Sequence, residues 1–214
     1  WAFYAASPAE VRERLVLRAS RFVTAVPTCP VPAPAAWQQP LWLRLRRDMT
    51  REQLQAIEAA GGRVLEAFQP HSFTVRATSP QAWPTLQAQW QADPLVLGTV
   101  AIEPIDRAHS LVWNGYAGTS TPWSDGTFTV TFWRDATHDA VEATLAQAGA
   151  EVPEAARDAA GRLDLDASRS FAVHLFGQPS LVALLDSPWV AAVEPARIPA
   201  TTNNVSVTVS NAQG

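Results

Sequence analysis

Leu41-Trp42-Leu43-Arg44-Leu45-Arg46 alternates apolar and polar positions, so Leu41, Leu43 and Leu45 share one face of a strand. Asp48 and Thr50 then offer a helix cap, Leu54, Ile57 and Ala60 recur at helical spacing, and Gly61-Gly62 ends that helix. Val64 to Phe68 and Phe73 to Val75 read as a strand pair turned at Gln69-Pro70-His71. Ser79-Pro80 opens a second helix carrying Trp83, Leu86 and Trp90, and Leu95 to Ile102 reads as a closing strand. The predicted order is βαββαβ.

The same order is predicted again from Phe128-Thr129-Val130-Thr131-Phe132. Arg134-Asp135 repeats Arg47-Asp48, Thr137 repeats Thr50 and Gly149 repeats Gly62, all about 87 positions apart. Phe171-Ala172-Val173 answers Phe73-Thr74-Val75 at a larger offset, which places the extra residues of the second unit in Val152–Ser168. A helix over Pro179 to Asp186 and a strand over Trp189 to Val193 complete it. Each unit ends on one phrase, Val100-Ala101-Ile102-Glu103-Pro104 and Ala191-Ala192-Val193-Glu194-Pro195, where proline removes a ladder donor and stops the strand. Two βαββαβ units predict an α+β protein of two tandem ferredoxin-like sandwiches, each an antiparallel sheet with its helices on one face.

The flanks divide the rest. Residues 1–25 hold a helix over about 8–22, opened by Ser7-Pro8-Ala9-Glu10 in capping-box spacing, with an arginine-rich solvated face. Residues 26–40 are a linker, because Pro27, Pro30, Pro32 and Pro34 bar helix and central strand alike. The first unit spans 41–107, a connector 108–126, the second unit 127–200 and an extended tail 201–214. Trp113, Tyr116 and Trp123 are more aromatic than a free linker needs, which suggests that the connector glues the units together.

Composition narrows the chemistry. With 214 residues and 47% hydrophobic content, the chain can bury one large core or two small ones. The net charge of −4 argues against a phosphate-binding surface and so against nucleic acid. Cys29 is the one cysteine, which rules out an internal disulfide and a cysteine-built metal site. No run approaches the length of a bilayer span, so no membrane partner is expected. The chain begins with Trp1 rather than methionine, which is read as removal of something upstream, a signal peptide being one candidate. Seventeen prolines and nine tryptophans beside one methionine have the look of a GC-rich bacterial gene.

No residue set reads as catalytic. Gly-x-Ser-x-Gly is absent, and His71, His109, His138 and His174 lie far apart without metal-ligand spacing. His138 stands in an exposed first helical turn, and His174 in the outward phase of a strand. No glycine-rich phosphate loop is present, so no cofactor is expected. The ferredoxin-like order also occurs in RNA-recognition domains and acylphosphatases. The first needs stacking aromatics in a basic setting, and the second a phosphate loop where this chain has Arg47-Asp48-Met49.

The closing phrase, Trp189-Val190-Ala191-Ala192-Val193-Glu194-Pro195 through Asn203-Asn204-Val205, resembles the N-terminal propeptide region of bacterial subtilisin-like serine proteases. Leu181 to Pro188 fits the helix and turn that such propeptides place before their last strand. The likeness covers residues 41–204, twice over. It implies an intramolecular chaperone and temporary inhibitor, not an enzyme by itself, whose partner is a subtilisin-like catalytic domain, in cis before processing and non-covalent afterwards. A secreted or periplasmic location follows from the same likeness. The sheet would pack on the protease's surface helices and the tail would lie as an extra strand in its cleft, with Val205, Val207, Val209, Asn211, Ala212, Gln213 and Gly214 as the cleft segment and Gly214 or a residue close to it at the processed bond. Read without the likeness, that uncharged tail is a disordered end or a last strand. Glu103 and Glu194 would cap helix N-termini of the partner, because unpaired amides there favour an anion; their plain reading is a local turn contact. Two units and an N-terminal helix depart from the simple family pattern, and proximity to the tail favours the second unit for docking. The alternatives are a tandem ferredoxin-like interaction module with no protease, and a small enzyme using the cleft between units.

Overall fold

Thr50 and Thr137 open equivalent helices by the same chemistry. Thr50 Oγ1 accepts the Gln53 N–H at 3.2 Å while Gln53 Oε1 accepts the Thr50 N–H at 3.1 Å, a closed capping box. Thr137 Oγ1 accepts the Ala140 N–H at 3.3 Å. The helices they start are α1, Arg51–Ala59, and α4, His138–Ala148. Both stop where glycine takes a left-handed conformation, Gly61 at φ 80° and Gly149 at φ 61°. The expected partner of Gly149 was Gly62, which is instead the first residue of a strand, packed so closely that a Cβ there would stand 2.7 Å from Ile57 Cγ2.

The computed structural model describes residues 37–68, 71–109, 112 and 126–196. The expected N-terminal helix, most of the proline-rich linker, the aromatic residues Trp113, Tyr116 and Trp123, and the whole tail lie outside the described residues.

The first unit runs β1 (Leu41–Leu45), α1, β2 (Gly62–Phe68), β3 (Ser72–Ala77), α2 (Ala82–Ala92) and β4 (Val96–Ala101). Its antiparallel sheet has the order β2-β3-β1-β4. Leu41, Leu43, Leu45, Phe73 and Val75 project from one face to meet Ile57 of α1 and Trp83, Leu86 and Trp90 of α2 in a single core, so both helices lie on that face. The opposite face is largely covered too: Trp42, Glu66, Ser72, Thr74 and Arg76 are buried and Arg44 is half-buried, while Arg63 on the edge strand β2 is exposed.

The second unit runs β5 (Gly126–Phe132), α4, β6 (Ser170–Leu175), α5 (Gln178–Asp186) and β7 (Val190–Pro195). Its sheet, order β6-β5-β7, is antiparallel, and Phe128, Val130, Phe132, Phe171 and Val173 form its core with Val141 and Leu145 of α4 and Leu181, Leu184 and Leu185 of α5. The fold is therefore mixed α+β with two antiparallel sheets. The repeat is incomplete, which corrects the expected second βαββαβ: where β2 stands in the first unit, the second has a single bridge, Glu151 opposite His174. Val152-Pro153 is the reason, since proline cannot donate to a ladder. The chain turns instead through a 3-10 turn at Glu154–Ala156 and an excursion held down by Leu163 and Leu165, both buried in the core.

The shared Glu-Pro phrase also behaves differently in the two units. In the first, β4 ends at Ala101, and Pro104 begins a short helix, α3 (Pro104–Arg107), at the position where a missing N–H costs nothing. In the second, Glu194 and Pro195 stay in β7, paired with Thr129 and Phe128. The expected stop at Glu-Pro is thus wrong for β7, because β5 is the longer central strand and reaches two residues further to meet it.

Candidate functional site

Side chains at Thr127, Thr129 and Thr131 of β5, Ser170, Ala172 and His174 of β6, and Ala192 and Glu194 of β7 fall on the face of the second sheet away from its core. That face is graded. Thr131 and Ala192 are buried at one end, where Thr131 Oγ1 and Ser170 Oγ hydrogen-bond at 2.8 Å. Towards the other end Thr127 and Ala172 are exposed and Thr129, His174 and Glu194 half-buried. Phe176, just past β6, is 45% exposed and meets the His174 ring edge-on at 4.8 Å. The open part presents the small side chains of Thr127, Thr129 and Ala172 beside the His174 ring, and Glu194 is its carboxylate.

The outer edge of β6 is shielded while this face is not. Glu151 exchanges both backbone hydrogen bonds with His174, at 2.8 and 3.0 Å. Ser168 Oγ donates to the Ser170 carbonyl at 2.8 Å and accepts the Ser170 N–H at 3.0 Å. A partner strand would find only Ala172 free between these two plugs, so recognition by strand addition is disfavoured and the face is the surface left for contact.

A buried arginine clamp joins the two units beside the closed end. Arg76 of β3 donates from Nη1 to both oxygens of Asp135, at 3.2 and 3.1 Å, and from Nη2 to the Pro188 carbonyl. Its guanidinium carbon stands 4.4 Å from the centre of the Trp189 ring. Burial pushes the Arg76 pKa down to about 10, against the opposing pull of Asp135, and the charge on Arg63 adds a little in the same downward direction. Arg134 donates to the Val64 carbonyl of β2. Arg107 of α3 donates to the carbonyls of Ser187 and Val190, the latter at 3.2 Å, and the His109 N–H reaches the Val193 carbonyl at 2.9 Å. Three arginines thus tie the second unit to the first.

Sequence reasoning missed this clamp. The repeated Arg-Asp pair was its one signal: in the first unit Asp48 stays local, 2.7 Å from His71 Nδ1, whereas Asp135 crosses to the other unit.

Of the residues singled out from sequence, Glu194 lies on the open face. Glu103 stands at the N-cap of α3, its backbone N–H donating to Asp106 Oδ2 at 2.8 Å. Val205, Val207, Val209, Asn211, Ala212, Gln213 and Gly214 lie outside the described residues. His71, His138 and His174 stand in separate places, and no group of three potential metal ligands occurs among the described residues. No described helix is long and apolar enough to cross a membrane. Neither a known protein family nor a curated protein matches this chain.

Proposed function

We propose that this chain is the propeptide region of a bacterial subtilisin-like serine protease, a folding assistant and temporary inhibitor built from two tandem ferredoxin-like units, the second lacking one strand. The catalytic domain is its partner, and secretion or export to the periplasm is the setting. The observation that carries the reading is the contrast between the two sheets: the helix-free face of the first is buried over most of its extent, and that of the second opens from Thr131 towards Thr127, Ala172 and Glu194. A small-residue sheet face is suited to packing on a pair of helices, and Glu194 on it is placed to meet the amide-rich N-terminus of one of them. The same strand, β7, leads directly into the tail, so face and tail can engage one partner together. In the first unit the corresponding face is mostly buried, which favours the second unit for docking.

The test begins with the reading frame beyond Gly214, translated to find the Asp, His and Ser blocks of a subtilisin-like domain. The purified chain is then titrated against that mature enzyme. Slow, tight inhibition is expected, weakened at least tenfold by Ala172→Arg on the open face and again by deletion of residues 205–214. A frame without a protease, or inhibition indifferent to both changes, removes the reading. Binding to some other protein through the face alone, with the tail dispensable, would establish the tandem interaction module instead.

A further inference from the structure

The two helix pairs differ in how they meet. In the second unit α4 and α5 pack directly on each other, and Thr144 Oγ1 hydrogen-bonds Ser187 Oγ at 3.0 Å beyond the end of α5. In the first, α1 and α2 stand apart and a cavity of about 270 Å³ lies between them. Its apolar walls come from Leu43, Leu45, Met49, Ile57, Trp90 and Val96. The indole of Trp90 is buried, and its Nε1 hydrogen meets no acceptor among the described residues.

The polar lining has one sign of charge. Glu52 and Asp93 are its ionisable groups, and neither faces a basic side chain in the lining. Asp93 is held rigidly, Oδ1 accepting the Leu95 N–H at 2.8 Å and Oδ2 accepting Gln53 Nε2 at 3.1 Å. Each oxygen keeps a lone pair for a further donor. Glu52 stands in the first turn of α1 and Asp93 at the C-terminal cap of α2, and both line the cavity together with its apolar walls. A cavity of roughly 150 Å³ is enough to take benzene, so this one has room for a bicyclic or branched hydrocarbon body.

We propose that the cavity between α1 and α2 binds a small primary amine with an aromatic or branched apolar body, the ammonium group seated between Glu52 and Asp93 and the body against Trp90, Leu45 and Ile57. The site is independent of the docking face, which belongs to the other unit. Recognition requires both parts: the walls exclude water from the body, and the carboxylates select a cation over a neutral or anionic analogue of the same shape.

Met49 is the only methionine in the chain and lies in the lining, so one labelled methyl group reports on the site. Full-length protein carrying ¹³C-methyl methionine is titrated with 2-(1-naphthyl)ethylamine and, separately, with 2-(1-naphthyl)ethanol. Expected are a saturable shift of the methionine signal with the amine in the micromolar to low millimolar range and binding of the alcohol at least tenfold weaker. In Glu52→Gln/Asp93→Asn the two probes should bind alike. Ala56→Trp, which fills the cavity from an exposed wall position, should abolish the shift at unchanged melting temperature; if that variant fails to fold, Gln89→Trp takes its place. No saturable shift up to the solubility limit overturns the proposal. So do equal affinities for amine and alcohol in the natural protein, or binding that survives the filling substitution.

Discussion

Removing the Asp135 carboxylate should cost far more than removing the whole ion pair it belongs to. Arg76 and Asp135 are 3% and 7% exposed, and their contact joins the two units. A guanidinium pKa pushed down from its ordinary value to about 10 means that the folded state disfavours the charge by about 3 kcal/mol, at ~1.4 kcal/mol per pH unit, even with Asp135 in place. Asp135→Ala therefore leaves a buried, uncompensated cation, for which about 3–5 kcal/mol of destabilisation is expected. Arg76→Met strands the carboxylate and should cost a similar amount. The double variant Arg76→Met/Asp135→Leu removes the desolvation cost of both charges. It also leaves the Pro188 carbonyl without its donor, about 1–3 kcal/mol, and loses the stacking on Trp189, about 1–2 kcal/mol. These terms nearly cancel, so the double variant should lie within about 2 kcal/mol of the natural protein. Urea unfolding at pH 7 measures all three, and the coupling energy is their non-additivity. Arg76 is protonated in both states below about pH 10, so its cost is complete there and is relieved only as the pH rises above about 10. The coupling should accordingly be flat between pH 6 and pH 9. An Asp135→Ala cost under about 1 kcal/mol, or a double variant as unstable as the two single costs added, would refute the reasoning.

Other consequences are simpler. Thr137→Ala removes the acceptor for the Ala140 N–H and should cost about 1 kcal/mol, read as a lower urea midpoint at constant slope. Gly149→Ala meets no neighbouring atom within 4 Å but must hold φ at 61°, so about 1 kcal/mol is expected from backbone strain alone. Leu163→Ala should cost about 2–5 kcal/mol and raise proteolysis within 152–168, since Leu163 is a buried anchor of that excursion. The Glu52 carboxyl is held below its ordinary 4.5, chiefly by a backbone hydrogen bond and then by the Thr50 hydroxyl, so its stabilisation is present above pH 4.5 and is lost as the pH falls through the lower folded value. Glu52→Gln should flatten that acid limb in a pH series of melting temperatures.

Patterns of nearest neighbours were enough for most elements. Alternation in Leu41–Leu45, helical spacing in Leu54 and Ile57, and the caps at Thr50 and Thr137 each depend on residues within one or two turns of each other, and such local rules are written in order along the chain. The repeat placed the second unit's helices and its central and closing strands for the same reason. It failed where a local exception outweighed it: Val152-Pro153 deletes a ladder donor, and the strand there shrinks to the bridge at Glu151.

What the chain order alone left open was settled by partners distant in sequence. Two copies of Glu-Pro diverge because the reach of the central strand differs, so one opens a helix and the other continues a strand. Arg76, 59 positions from Asp135, could be read only as a polar residue in a strand, and its burial becomes tolerable because the second unit brings a carboxylate, a carbonyl and an indole to it. Which sheet face stays open is likewise a property of packing. The sequence by itself determined the elements and their caps, through contacts a few residues long, whereas the clamp, the open face and the cavity between α1 and α2 arise from surfaces that come together only when the two units fold against each other and when each helix pair settles on its sheet.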